Sequence, residues 1–525
     1  MGVIKRFVNA LSLRSRPWKL AGSVTVVVLL TIAVDISPST AAGTNVRNGG
    51  TLTYLQENLS WPTFDPTIAS FSTVSQPLMS LVYGNLFTIG PNNTFVPGLA
   101  TRYSFSNDNK TFTLNTRTGV TFQDGTPFNA TAVALNLTRD SAKTSGCLCL
   151  TALKNATSIT APNDHTVVMN FSVPDGVILA TLSTSPATYI ISPAALSSQG
   201  SNYGATPVGA GPYKVVSDII DSTITLGRWP GYWDARATHV SQITVTSETT
   251  GASGLASVQS GGAQIFDLTS DPATQKAAKQ SGLNIETEHI SGNFLYMDFN
   301  TAPFNNKLAR EAMQYATNAK ALDSVLYYGY GPASETLIGP QQIAYFGSTL
   351  PGYRSYKLKK AKQLVSQLGG LSFTLISIGT TPTAIAEMEA VQKQWAQAGI
   401  QVTLDPLTLP AGLKELESGT YQAVIAGYPA QDDSPLTLAT SLVCPVYFSP
   451  GFCDPTVTRY AEQALQTKSF TAQATLMKKA VTLAVVNDAA YVPLNSTPGS
   501  VVLTKNVHNF VYEGGALYLS GVWLS

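Results

Sequence analysis

The stretch AVIAGYPAQDDSPLT, residues 423–437, decides the fold. An apolar run that ends in a loop crowded with Gly, Pro, Gln and Asp reads as a buried strand that stops at its carboxyl end. Upstream, LKKAKQLVSQL (358–368) places Leu358, Ala361, Leu364, Val365 and Leu368 at helical spacing, and Gly369-Gly370 end that helix. FTLISIG (373–379) reads as a strand, TAIAEMEAVQKQWAQA (383–398) as a helix closed by Gly399, and IQVTLDPL (400–407) as a strand. LKELES (413–418) is then a short helix and YQAVIAGY (421–428) the third strand. Strands alternating with helices at this spacing imply βαβ crossovers and a mainly parallel sheet, hence an α/β fold. In open sheets of that kind ligands bind beyond the carboxyl ends of the strands. Residues 427–435 are therefore the first candidate wall of a binding cleft.

Outward from this stretch, the amino terminus has a different character. Lys5, Arg6, Arg14, Arg16 and Lys19 precede the apolar run AGSVTVVVLLTIAV (21–34), and the small-residue exit SPSTAAG follows. This is the pattern of a secretory signal peptide, expected over residues 1–43. The run is shorter than the roughly 20 residues a spanning helix needs, and no Cys follows it to carry a lipid. The expected location is outside the cytoplasm: periplasmic, cell-surface or extracellular, with membrane association through a permease or an uncleaved amino-terminal segment.

Charged residues are 12% of the chain and the formal balance is +1, against about 25% in an average globular protein. A nucleic-acid partner would demand a basic face, so that class is excluded. Four cysteines in an exported chain favour oxidation. Cys444 and Cys453 enclose PVYFSPGF and are expected to be a disulfide worth about 2–3 kcal/mol. Cys147 and Cys149 form either a tight-loop disulfide or buried thiols; no His lies near them, and no metal or other cofactor is expected. His165, His239, His289 and His508 are scattered, and no G-x-S-x-G, P-loop or H-E-x-x-H is present, so catalysis has no nucleophile and base to name.

In the amino-terminal half, GGTLTYLQENLSWPTFDP (49–66) reads as a strand feeding an aromatic turn, and Leu78, Leu81, Val82 and Leu86 in 76–89 lie at helical spacing. Tyr103, Phe105, Phe112, Leu114, Val120 and Phe122 alternate around two turns as a β-meander, after which Asn129 caps a helix. The run PGLATRYSFSND, an aromatic strand, then RTGVTFQDGTP resembles the signature of the family 5 extracellular solute-binding proteins, the oligopeptide-, dipeptide- and nickel-binding components of ABC importers. TPVGAGPYKVV (206–216), ITLGRWPGYWD (224–234), SVQSGGAQIFDL (257–268), LYMDFNTAPFNNKLAREAMQYATNAKAL (295–322), MEAVQKQWAQAGIQVTL (388–404), GFCDPTV (451–457) and AYVPL (490–494) continue the likeness in order.

This resemblance implies a three-lobed, type II periplasmic-binding-protein-like fold: mixed sheets with flanking helices and a ligand cleft between two lobes. Lobe I is expected from 44–68, 185–297 and 490–525, lobe II from 69–184 and lobe III from 298–489, with crossings near FNT and AYVPL as the hinge. It also implies a monomer that captures a small solute, a peptide first of all, and delivers it to the permease and ATPase subunits of an importer. The alternatives are a sensor or receptor of the same fold and a binder of a nickel chelate or glycoside. In peptide-binding relatives an Asp just after a Gly-Trp strand end clamps the ligand's ammonium. Here the pair is Gly427-Tyr428, and the clamp position falls on Gln431, followed by Asp432 and Asp433. An uncharged Gln cannot make the charge-assisted bond, so either Asp432 or Asp433 makes it or the ligand lacks a free amine. Tyr428 is expected to present a flat wall with a polar tip. Trp61, Phe64, Asp65 and Tyr83 are the candidates where the first strand of lobe I enters the cleft.

Overall fold

The computed structural model describes residues 46–525, apart from 58–62, 68–74, 91–92, 144, 146, 148, 220, 249, 269–270, 340–341, 428–433, 447 and 514–515. Residues 1–45 are a separate unit that lies outside the described residues, and with them the expected signal peptide.

A ten-stranded mixed sheet runs through the described unit. At one edge Ile400–Leu407, Leu371–Ile378 and Ala423–Gly427 lie side by side and parallel, as the alternating pattern requires. The intervening helices are Pro382–Ala396 and Leu409–Ser418. The latter begins four residues earlier than its apolar spacing indicates, because Pro410 preorganises the first turn. Next come two long antiparallel strands, Asn284–Met297 and Tyr491–Leu503, paired along nearly their whole length. The remaining strands follow in the order Ile265–Asp267, Thr51–Glu57, Gln242–Glu248, Thr223–Arg228 and Tyr213–Ile219.

The two long strands join the halves of the sheet. Asn293–Met297 pairs with Ala423–Gly427 on one side, while Val501–Leu503 pairs with Ile265–Asp267 on the other. Their ladder shifts register between His289 and Ser291 and again between Asn293 and Phe294. Such bulges bend a strand and add twist, and here both fall where the partner strands change. Period-two alternation then separates two cores. Phe294 and Tyr296 pack with Tyr491, Val424 and Phe448 on one face, while Leu295 and Met297 pack with Val492, Leu375 and Trp395 on the other.

A separate four-stranded antiparallel sheet, in the order Ala100–Phe105, Thr111–Thr116, Thr166–Phe171 and Ala156–Asn163, packs on helix Ala130–Asp140. Asn129 caps that helix, its Oδ1 accepting from Ala132 N at 3.0 Å. Two expectations are corrected. The apolar spacing of 76–89 is not one helix: Ser75–Tyr83 ends at Gly84, whose φ of +70° suits glycine, and Leu86 is buried outside it before the strand Phe87–Gly90. Val120 and Phe122 are buried but lie beyond the meander, in a tight turn closed by a bridge from Thr121 to Pro127.

The turn after Ser172 docks on the far half of the molecule. Gly176 N donates to the Leu465 carbonyl at 2.7 Å, and Asn109 Nδ2 to that of Gln466 at 3.1 Å. A Cβ on Gly176 would stand 2.2 Å from the Thr467 backbone, so this close approach requires glycine. Both cysteine pairs are disulfides: Cys444 with Cys453, and Cys147 with Cys149 in a buried tight loop.

Candidate functional site

Strand Ala423–Gly427 brings the chain to the place where the two long strands bulge. Gly427 lies opposite Asn293 in the ladder, and a Cβ there would stand 2.7 Å from Asn293 Oδ1 and 2.8 Å from the Gly292 carbonyl. Only glycine fits, so the loop that follows leaves from a fixed point. Tyr428, Gln431, Asp432 and Asp433 belong to that loop and lie outside the described residues, as does Trp61.

On the Phe294 face of the long strands is a cavity of about 170 Å³. Gly292, Phe294 and Ser496 form its floor, and Ser334, Leu337 and Tyr345 of the following irregular segment form its walls. That segment is tied down where Ser496 N donates to the Gly331 carbonyl at 3.1 Å. A Cβ on Gly331 would collide with the Ser496 carbonyl at 2.3 Å. The lining is mainly apolar and includes no charged side chain. Ser496 Oγ is buried without a hydrogen-bond partner among the described residues. An orphaned hydroxyl in an apolar chamber is a binding feature, because an incoming polar group recovers the hydrogen bond.

Beside the chamber, Lys276 stands over the Tyr328 ring at 4.8 Å and Lys279 over Tyr330 at 5.5 Å. Both lysines are on helix Pro272–Gln280, so cation–π contacts link that helix to the segment just before Gly331.

Phe64, Asp65 and Tyr83 do not line this chamber. Phe64 and Tyr83 are fully buried in the core under Thr51–Glu57. The Tyr83 hydroxyl donates to the Phe64 carbonyl at 2.5 Å and receives the Tyr203 hydroxyl at 3.1 Å. Burial, with the neighbouring Tyr203 oxygen second, holds the Tyr83 phenol well above its usual range. Asp65 Oδ2 accepts from Arg139 Nη2 at 2.5 Å, and its Oδ1 accepts from Thr67 N and Oγ1 at 3.0 and 2.9 Å. These three residues therefore fix the chain just after residues 58–62.

Reading the sequence missed Glu387. In TAIAEMEAVQKQWAQA it looks like one more charge on a solvated helix face, yet it is 3% exposed. Asn293 Nδ2 donates to its Oε2 at 2.8 Å, and Asn495 Nδ2 makes a short bond to its Oε1. Desolvation raises the carboxyl to about 7 despite these two bonds. Among the described residues the one cluster of metal-type side chains is Asp140 with Cys147 and Cys149. The sulfurs are bonded to each other and so are not thiolate ligands.

A strand end, a chamber and a pair of long connecting strands define a solute-binding protein. A sequence profile described as "Bacterial extracellular solute-binding proteins, family 5 Middle" matches residues 94–446. The chain belongs to this family, and with it to the substrate-binding components of ABC importers. Glutathione-binding protein GsiB of Escherichia coli K12 is 32% identical over 365 residues, 68% of this chain and 70% of that protein. GsiB of Salmonella typhi is 31% identical over 362 residues, with the same coverage. Solved structures share the fold. DppA of Helicobacter pylori in complex with the peptide STSA aligns with a TM-score of 0.76 at 22% identity, covering 91% of this chain and 98% of that one. NikA of Brucella suis in complex with Fe(III)-EDTA aligns with a TM-score of 0.79 at 20% identity, covering 91% and 100%. These relatives are binding proteins, and no helix among the described residues is long and apolar enough to cross a membrane.

Proposed function

We propose that the cargo is a short peptide of the dipeptide-to-glutathione class, held between lobes I and III in the three-lobed division given above, with Asn284–Met297 and Tyr491–Leu503 as the hinge. The observation that carries this reading is the chamber on those strands beside the fixed exit of Gly427. At about 170 Å³ it is smaller than the roughly 300 Å³ or more that encloses a whole small molecule. It takes one uncharged side chain or backbone unit, with Ser496 Oγ as a hydrogen-bond partner. The charged end of the cargo then falls to the loop after Gly427: Asp432 or Asp433 meets an ammonium, Tyr428 stacks on the cargo, and Gln431 and Trp61 complete the wall. Phe64, Asp65 and Tyr83 serve as the anchor for Trp61.

The mechanism needs no covalent step. Cargo that touches both lobes favours the closed form by its differential affinity, and the closed surfaces dock the permease. A dissociation constant near 1 μM corresponds to about −8 kcal/mol and suffices for capture. The similarity to GsiB and to peptide-bound DppA supports a peptide, and the leader-like amino terminus supports export. Native mass spectrometry of the purified mature protein tests the reading. Release of short peptides is the expected result, and a cargo with neither amine nor peptide bond overturns it. Tyr428→Ala should weaken binding of the identified cargo about tenfold by calorimetry with an unchanged melting temperature; unchanged affinity removes Tyr428 from the site.

A further inference from the structure

The Glu387 carboxyl ties together the two long strands beside the strand end at Gly427. In the ladder, Asn293 stands between Gly427 on one neighbouring strand and Asn495 on the other. Glu387 reaches down from helix Pro382–Ala396 and receives one amide from each long strand, within the stretch where their register shifts. One carboxyl therefore braces both crossing strands and, through Asn293, the last residue before the loop 428–433. Burying an acid is costly unless its bonds are good, and two apolar side chains would pack here without that cost.

We propose that Glu387 is a positioning residue for the chamber floor at Gly292 and Ser496 and for the strand end at Gly427, and that its brace makes cargo affinity depend on pH near neutrality. The inference rests on the cargo reading above. The two protonation states require different bonding. Ionised Glu387 accepts from both amides, and Asn495 Oδ1 then has no donor among the described residues. Protonated Glu387 has a hydrogen to give, which the Asn495 amide accepts after a half-turn. Raising the pH thus changes the bonds between the two crossing strands and leaves a charge in an apolar layer.

Among the described residues no neighbouring charge competes for this role. Ala423–Gly427, Leu371–Ile378 and Tyr491–Leu503 contain no Asp, Glu, Lys, Arg or His. On Asn284–Met297 the acidic and basic side chains, Glu286, Glu288 and His289, precede Asn293 by four or more positions, and Tyr296 follows it by three. The charged residues on the other elements against the helix are Lys307, Arg310, Glu311, Lys320, Asp323 and Asp405. None of them contributes to the shift at Glu387, whose causes are burial, opposed by the Asn495 and Asn293 bonds.

The test measures glutathione binding by calorimetry at pH 6 and pH 8, together with hydrogen exchange in Ala423–Gly427 corrected for intrinsic rates. Native protein should bind glutathione at least threefold more weakly at pH 8, and strand protection should fall about fivefold. Glu387→Gln, neutral and of the same shape, should show neither change. Asn293→Ala, which removes one donor to the carboxylate, should move the midpoint of the profile to higher pH. Parallel pH profiles in the native protein and the Gln variant overturn the inference. If glutathione binds neither protein, the cargo reading fails for that ligand, and the exchange profile alone still decides the role of Glu387.

Discussion

The two faces of Asn284–Met297 and Tyr491–Leu503 differ in how their hydrogen-bonding capacity is used. On the Phe294 face a chamber is left open, walled by apolar side chains and holding one unpaired hydroxyl, Ser496 Oγ. On the opposite face the space is filled, and the Glu387 carboxyl accepts from the Asn293 and Asn495 amides against a close-packed core. The same strands therefore present an open chamber to one side and a close-packed brace to the other. On the proposed reading, binding belongs to the open face and the packed face holds that site in shape.

The largest effect expected is on stability at the open face. Phe294→Ala removes a ring that packs edge-on against Tyr491 at 5.5 Å, so a loss of about 3–5 kcal/mol in urea unfolding is expected. A loss under about 1 kcal/mol would mean that the chamber is already loosely packed.

The braced face is next. The Glu387 carboxyl is raised to about 7 in the folded protein against 4.5 for its ordinary value, so the folded state holds the proton more tightly than the unfolded one. Its contribution to stability is therefore most favourable below pH 4.5, declines as pH rises through the window between 4.5 and 7, and levels off above that. Between pH 5 and pH 8 native protein should lose about 2–3 kcal/mol relative to Glu387→Gln. A constant difference between the two across that range would show that Glu387 does not titrate there.

Asn293→Ala should cost about 2 kcal/mol at pH 8, where it strands one carboxylate oxygen, and less at pH 6. The smallest effect on stability is expected at Ser496→Ala, less than about 1 kcal/mol, because the hydroxyl has no bond to lose. That same substitution should weaken cargo binding by about three- to tenfold. A variant that loses stability but keeps affinity would reverse the contrast between the two faces. Gly176→Val sharpens the comparison from a distance: its side chain would strike the Thr467 backbone, so the contact between the four-stranded sheet's turn and the helix pair around it should open. Small-angle scattering of the free protein should then show a larger radius of gyration.

Local pattern revealed much of this molecule. The alternation of strands and helices over 358–428 is read directly from apolar spacing and glycine stops, and the parallel set forms there. Asn129 also read correctly, from capping chemistry. Pattern was weaker where an apolar residue served a different element: Leu86 keeps helical spacing with Leu78 and Val82 only by coincidence, since Gly84 has already ended the helix.

By itself, the sequence determined the family, the α/β class, the exit at Gly427 and the pairing of Cys444 with Cys453, because each rests on near neighbours in the chain or on an ordered set of motifs. Only the tertiary structure decided which face of the long strands stays open, that Phe64 and Tyr83 are core, and that Glu387 is buried. Asn293 and Asn495 lie 94 and 108 residues from Glu387 along the chain, on opposite sides of it. Spacing on one helix cannot show that two distant amides wait above a carboxyl; that follows only once the strands cross and the helix packs on them.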